Sequence, residues 1–221
     1  MKLLVSAVTK FLAGLLMVGL LLFLPAGGTD YRHGWLFIVL LFVPMLALGV
    51  VLFFKSPDLL AKRLESKEKQ TTQKGVVGAA ALLFIGGFVL AGLDFRFGWS
   101  QVPPWVVGVA SLVLLASYAL YAEVMRENAY LSRIVEVQEN QTVVDTGLYG
   151  VVRHPMYAVT VWLFLSIPLV LGSWWSLLCF LPYLPVIVIR LLNEEKVLEA
   201  ELDGYTAYKQ KVRYRLIPYV W

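Results

Sequence analysis

Cysteine is almost missing from this chain. Cys179 stands alone inside an apolar run, so no intrachain disulfide can form and the redox compartment is left open. Only two histidines accompany it, which argues against a His-rich di-iron centre or a structural zinc site. Charge is scarce as well. Asp, Glu, Lys and Arg make up 15% of the 221 residues, where soluble domains carry about 25%. With 59% hydrophobic residues and a mean hydropathy of +0.74, a soluble globular class is excluded. The net charge of +4 is small and dispersed, so it points to cytoplasmic loops and not to nucleic acid. Internal repeats and low-complexity tracts are absent.

What is abundant is apolar sequence in runs long enough to span a bilayer. They recur along nearly the whole length, so 1–221 reads as a single all-α membrane domain, four spans over 1–121 and a more polar C-terminal part over 122–221. The expected spans are 4–24, 34–54 (with Pro44 as a kink), 75–93, 104–121, 155–171 and 174–192. The first run, after Lys2 and Lys10, has features of a secretory signal but is read as a retained span. Gly75, Gly78, Ala79, Gly86 and Gly87 allow close helix packing in the third. Gly172 and Ser173 form a tight reversal, making the last two spans a hairpin that returns 190–194 to the face holding 153–154. The stretch 55–74 is a loop with a surface helix; its six basic residues include Lys62, Arg63, Lys67 and Lys69, against three acidic ones, Glu68 among them. Placing both termini, this loop and 122–153 on one side collects 17 of the 19 basic residues, leaving only Arg32 and Arg96 opposite. The positive-inside rule makes that side cytoplasmic.

Polar, turn-rich sequence gathers just before the fifth span, from Gln141 to Tyr157. Gly147 permits a tight turn, Pro155 suits the first turn of a helix, and His154 sits where a cap would. A helix beginning there turns unpaired amides and a positive dipole end toward Arg153 and His154, an anion site at the membrane edge. The plainer alternative is a snorkelling Arg153, a capping His154 and interfacial Tyr149 and Tyr157. Near the end of the last span, Arg190 lies one turn before Glu194 on one helix face, with Glu195 adjoining; a solvated helix exit would also account for them. Leu198, Leu202, Tyr205, Tyr208 and Val212 then recur at helical spacing. That stripe predicts an amphipathic tail helix on the membrane or folded under the bundle, weakened in the middle by Gly204.

Gly147-Leu148-Tyr149, Arg153-His154-Pro155-Met156-Tyr157, a hairpin, Arg190 with Glu194-Glu195, and Gly204-Tyr205 with Tyr208-Lys209 and Val212 together resemble the isoprenylcysteine carboxyl methyltransferase family. More broadly they are similar to membrane methyltransferases that include phospholipid N-methylating enzymes. The resemblance covers about residues 126–221, and the first four spans are only generically similar. It implies an S-adenosylmethionine pocket facing the cytosol, and a lipid-like or prenylated acceptor. By the same resemblance, cofactor contacts fall on Gln141, Thr142, Val143, Val144, Leu148, Tyr149, His154, Pro155, Met156, Tyr157, Glu194 and Glu195. Arg190 falls on the substrate with Tyr205 and Tyr208, and Arg190 and Glu194 take the catalytic roles. Relatives commonly place glycine two residues after the motif tyrosine, where this chain has Val159.

The residue chemistry fits independently. A helix start at His154-Pro155 can take the cofactor's carboxylate, Glu194 or Glu195 its ribose or ammonium, and Tyr149 and Tyr157 its adenine or sulfonium. Methyl transfer needs mainly positioning in a dry pocket, with no triad or metal. The acceptor is expected to be a carboxylate held by Arg190, reached by lateral entry near the last two spans; a phospholipid amine is the alternative. A nicotinamide-dependent sterol-type reductase shares some of these features. A channel, carrier or assembly factor is the non-enzymatic reading, and the near absence of ionisable residues within the spans argues against transport.

Overall fold

The computed structural model describes residues 2–65, 71–132 and 135–221, with backbone alone at 71 and 72. Lys67, Glu68 and Lys69 of the basic loop lie outside the described residues. The chain is all-α: α1 (Lys2–Ala26), α2 (Arg32–Lys55), α3 (Pro57–Leu64), α4 (Thr71–Phe97), α5 (Pro104–Glu127), α6 (Pro155–Val170), α7 (Trp174–Phe180), α8 (Tyr183–Glu201) and α9 (Tyr205–Lys211). At about 1.5 Å per residue, α1, α2, α4 and α5 each run about 36–40 Å, enough to cross a bilayer. Helices α7 and α8 together form a fifth apolar segment of 28 residues, Trp174–Glu201, broken where Leu181 and Pro182 interrupt the ladder. The expected span 155–171 is the short apolar helix α6, 16 residues long.

Helix α5 lies along α6, α1 along α4, and α4 along α7. Their shared core contains Leu22, Phe37, Leu114, Ile167, Val170 and Phe180, all at most 2% exposed. Close approach depends on two glycines of α4. A Cβ on Gly87 would fall 2.2 Å from the Phe180 ring, and one on Gly92 would fall 2.5 Å from the Leu22 carbonyl oxygen. Gly75 and Gly78, expected to serve the same end, have open space where a Cβ would stand.

At the end of the bundle that carries Ser100 and Ser173, the reversal 171–173 is held by buried polar groups. Gly172 takes φ +77. The Tyr31 hydroxyl donates to the Leu171 carbonyl at 2.5 Å. Buried Asp94 accepts from the Ser100 amide at 2.7 Å, the Ser100 hydroxyl at 2.6 Å and the Ser173 hydroxyl. Ser173 in turn caps α7 through the Ser176 amide at 3.0 Å.

At the opposite end two local expectations change. Residue 154 is the N-cap of α6, but its imidazole makes no capping bond; it turns instead to Glu195. The tail stripe does not form one helix. Gly204 adopts φ +83 and separates α8 from α9, so Leu198, Leu202, Tyr205, Tyr208 and Val212 fold back over Val137 and Val143 of the 128–146 segment. The apolar face expected to meet the membrane or the bundle thus meets that segment.

Candidate active site

The site begins with a stretch that has no regular structure of its own and is shaped by side-chain bonds to its backbone. The Asn128 side chain accepts from the Tyr130 amide at 2.9 Å and donates to the Tyr149 hydroxyl at 3.0 Å. Gln141 accepts from the Gln138 amide at 2.9 Å across a turn that puts Asn140 at φ +56. Gly147, at φ +53, has the Glu127 carboxyl so close that a Cβ would fall 2.8 Å from it, and Glu127 also accepts from Thr146 at 2.9 Å. Glycine is therefore favoured there by torsion, and a larger residue would also have to displace the Glu127 side chain. The turn Gly147–Gly150 then buries Tyr149, whose carbonyl accepts from the Tyr208 hydroxyl at 2.7 Å.

The tail closes on this stretch by backbone pairing. The Arg153 amide donates to the Tyr214 carbonyl and the His154 amide to the Arg215 carbonyl, each at 2.9 Å. Behind them lies a buried ionic cluster. Glu195 accepts from Arg153 Nε at 2.7 Å, faces His154 Nε2 at 3.3 Å, and accepts from Arg215 Nε at 2.9 Å. Arg153 also donates to the Val212 and Arg213 carbonyls, both at 2.8 Å. The Arg153 and Glu195 side chains are each 4% exposed, so neither charge is tolerable without the other.

One helical step earlier, Glu194 faces the opposite way. Tyr157 donates its hydroxyl to Glu194, and Arg190 Nε donates to the same Tyr157 oxygen at 3.1 Å. Arg190 Nη1 donates to Oε1 of the fully buried Gln73 of α4 at 2.9 Å. The guanidinium plane is thereby set between two helices.

Between the 128–146 segment, the start of α6, the end of α8 and α9 lies a cleft with about 850 Å³ of unfilled space, counting the part open to solvent. Gln141, Thr142, Val143, Val144, Tyr149, His154, Met156, Tyr157, Arg190, Glu194, Tyr205 and Tyr208 line it. Leu148, Pro155 and Glu195 do not. Leu148 packs in the apolar cluster beside it, Pro155 is buried in the first turn of α6, and Glu195 is enclosed by Arg153, His154 and Arg215. The lining also includes Arg153, expected at an anion site, Leu198 and Leu202, expected only as part of the tail stripe, and residues not anticipated from sequence: Asn128, Tyr130, Leu131, Ser132, Val135, Glu136 and Val197. Val197 and Leu198 lie three and four positions beyond Glu194, so helical periodicity alone could have found them. Asn128 to Glu136 carry no such signal.

One polar atom of the cleft is left over. The Tyr205 hydroxyl is buried and has no hydrogen-bond partner among the described residues. Burial and the nearby carboxylates of Glu195 and Glu194 push its ionisation well above the usual tyrosine range, so it stays a neutral donor. An orphaned donor in the wall of a cleft is a group that a water or a ligand acceptor would satisfy.

Residues 105–202 match the family described as phospholipid methyltransferase. The matched region runs from α5 through the end of α8 and takes in the 128–146 segment, the Arg153-His154-Pro155 motif and the Glu194-Glu195 pair. It leaves out α1–α4, α9 and the closing strap. No curated protein matches the chain. From α5 through α8 the chain is similar to phospholipid methyltransferases, a family related to the isoprenylcysteine carboxyl methyltransferases, and with its long apolar helices that likeness supports a methyltransferase of the membrane.

Proposed function

We propose that the protein is an S-adenosylmethionine-dependent methyltransferase that acts on the head group of a membrane lipid, with its cleft and both termini on the cytoplasmic side. The observation that carries the reading is the buried, unpartnered Tyr205 hydroxyl in a cleft that also holds a helix start and a half-buried carboxylate. Those groups match what the donor molecule presents. The first amides of α6 suit its carboxylate, Glu194 its ammonium or ribose hydroxyls, and Tyr205 an oxygen acceptor. When bound, S-adenosylmethionine supplies an electrophilic methyl group on a sulfonium. The chain's own work is to hold, orient and dry the reactants. Tyr149 and Tyr157 offer aromatic faces to adenine or sulfonium, and the apolar side chains of Val143, Val144, Leu198 and Leu202 exclude water.

An amine acceptor is favoured by the match to phospholipid enzymes and by Glu194. An amine near pKa about 10 must lose a proton before it attacks. Glu195 is bound by Arg153, His154 and Arg215, so the base role moves to Glu194, which reaches the cleft beside Tyr157. A carboxylate acceptor is the second reading, carried by Arg190. Its planar fork, fixed by Gln73 and Tyr157, suits a group that is already ionised near pH 7.

The test is incubation of purified protein with methyl-labelled S-adenosylmethionine and total membrane lipids, followed by identification of the labelled product. A base-stable methylamine is expected; a base-labile methyl ester selects the carboxylate reading. Binding of NADPH with no affinity for S-adenosylhomocysteine replaces both with a reductase.

A further inference from the structure

A second cavity lies outside the cleft, between α1, α2 and α3. It has about 1240 Å³ of unfilled space, counting the part open to the surroundings, and among the described residues Lys10 is the one charged residue in its lining. Its α2 wall contains Leu46, Val50 and Phe54, which are 52%, 48% and 77% exposed, so the cavity opens sideways toward hydrocarbon. Gly49 sits in that wall, and a Cβ there would meet nothing within 4 Å. Space for a chain is therefore left at a position where a larger side chain would fill it.

This groove and the cleft are lined from one packed cluster of side chains. Phe53, Leu60 and Leu64 line the groove, and they belong to the same packed cluster as Leu131, Tyr149 and Met156, which line the cleft. Helix α3 is the partition. Leu60 and Leu64 face the groove, while Arg63 reaches the other way: it donates to the Ser132 carbonyl at 3.2 Å, lies 3.9 Å from Met156 Sδ, and donates to the Tyr121 hydroxyl. One cation lines the groove and another stands on the same partition helix. Lys10 donates to the Leu64 carbonyl, and Lys62 Nζ lies 3.4 Å from the Ala129 carbonyl and 5.9 Å from the centre of the Tyr130 ring. An apolar groove with an ammonium group in its wall, packed through α3 against a polar cleft, has the chemistry of a phospholipid: hydrocarbon, then phosphate, then reacting head.

We propose that an acyl chain of the phospholipid acceptor lies in the α1–α2–α3 groove, with its phosphate near Lys10 and Lys62, and that α3, latched by Arg63, is the partition its head group passes to enter the cleft. Acceptor entry is thus placed at α1–α3, not beside α6 and α8 as the sequence led us to expect. The inference rests on the lipid-methyltransferase reading.

The test uses the full-length protein in phosphatidylcholine nanodiscs with a phosphatidylethanolamine that carries a diazirine near the end of one acyl chain. Light should attach the label to residues of 4–11 and 45–54, and excess unlabelled phosphatidylethanolamine should suppress it. Gly49→Leu puts a side chain into the groove from a position where the Cβ meets no neighbour, and it improves helix propensity; Ala7→Leu fills the groove from the opposite wall. Each should reduce labelling and raise KM for long-chain phosphatidylethanolamine by about tenfold, from loss of a few buried methylenes. KM for a short-chain soluble analogue and affinity for S-adenosylhomocysteine should stay as in wild type. Label spread evenly over the lipid-facing helices, label that unlabelled lipid fails to displace, or crosslinks joining two copies of the chain would overturn the assignment. So would unchanged labelling in both variants. Wild-type protein that neither binds S-adenosylhomocysteine nor methylates any lipid defeats the functional reading itself, which is a separate result.

Discussion

Replacing Glu195 and replacing Glu194 should give opposite phenotypes, although the two are neighbours on one helix. Glu195 is the shared acceptor of Arg153 and Arg215 and faces His154, and Arg153 also ties down the Val212 and Arg213 carbonyls. Glu195→Ala leaves the Arg153 guanidinium buried without a counter-charge, at a cost of about 3–5 kcal/mol. Total stability of a folded protein is about 5–15 kcal/mol, so this one change removes a large share of it. At about 2–4 °C per kcal/mol for a chain of this size, the melting temperature should fall by about 6–20 °C. Glu195→Gln keeps an acceptor for Arg153 and loses only the charge assistance, about 1.5–3 kcal/mol. Glu194 is half-buried in the cleft wall and bonded to Tyr157. Glu194→Gln should leave the ligand-free melting temperature within about 2 °C of wild type while weakening S-adenosylhomocysteine by about 1–3 kcal/mol. Differential scanning fluorimetry in detergent, with and without ligand, and titration calorimetry read both quantities. If Glu195→Ala melts with wild type, or Glu194→Gln melts as low as Glu195→Ala, the division of labour between the two carboxylates is wrong.

Three further outcomes are expected. Tyr205→Phe removes a buried hydroxyl that has no protein partner, so ligand-free stability should hold or rise slightly, while calorimetry should show S-adenosylhomocysteine binding weakened by about 0.5–1.5 kcal/mol. Gly92→Ala forces a Cβ toward the Leu22 carbonyl and should lower stability by about 1–3 kcal/mol, whereas Gly78→Ala, with open space around it, should cost nothing in the same melting assay. In a Cys179→Ala background, cysteines at Glu65 and Tyr219 should react with an impermeant maleimide only in opened cells, and one at Asp30 should react in intact cells; the reverse pattern would invert the assigned orientation.

The apolar segments were legible from sequence because membrane spans are specified by a bulk property, length of uninterrupted hydrocarbon, that one chain displays without knowledge of its partners. The departures arise where a partner decides. Gly204 looked like a weak point within one tail helix; with φ +83 it stands in the break between α8, which stops at Glu201, and α9, which starts at Tyr205, and the apolar stripe covers Val137 and Val143, residues that hydropathy places in a polar segment. His154 looked like a cap because of its position before Pro155; its ring turns away because Glu195, forty-one residues on, offers a bond at 3.3 Å that competes with capping.

The Glu194-Glu195 pair shows the limit most sharply. Adjacent helix positions point about 100° apart, so one of the two had to leave the cleft, and sequence contains nothing that says which. Arg153 and Arg215 decide it. They lie 42 residues before and 20 after Glu195, and they converge only because the α6–α8 hairpin and the returning strap bring both ends to one place. Arg215 stands beyond the region similar to the phospholipid enzymes, which stops at residue 202. So do Tyr205 and Tyr208, and so do the Tyr214 and Arg215 carbonyls that bind the motif's backbone. The matched region therefore contains Arg153, Arg190 and the Glu194-Glu195 pair, while the tail supplies Arg215 and the carbonyls that set which of them face the ligand. A truncation after Leu202 would keep Arg153, His154 and Glu195 and still leave Arg153 without the carbonyls of Val212 and Arg213.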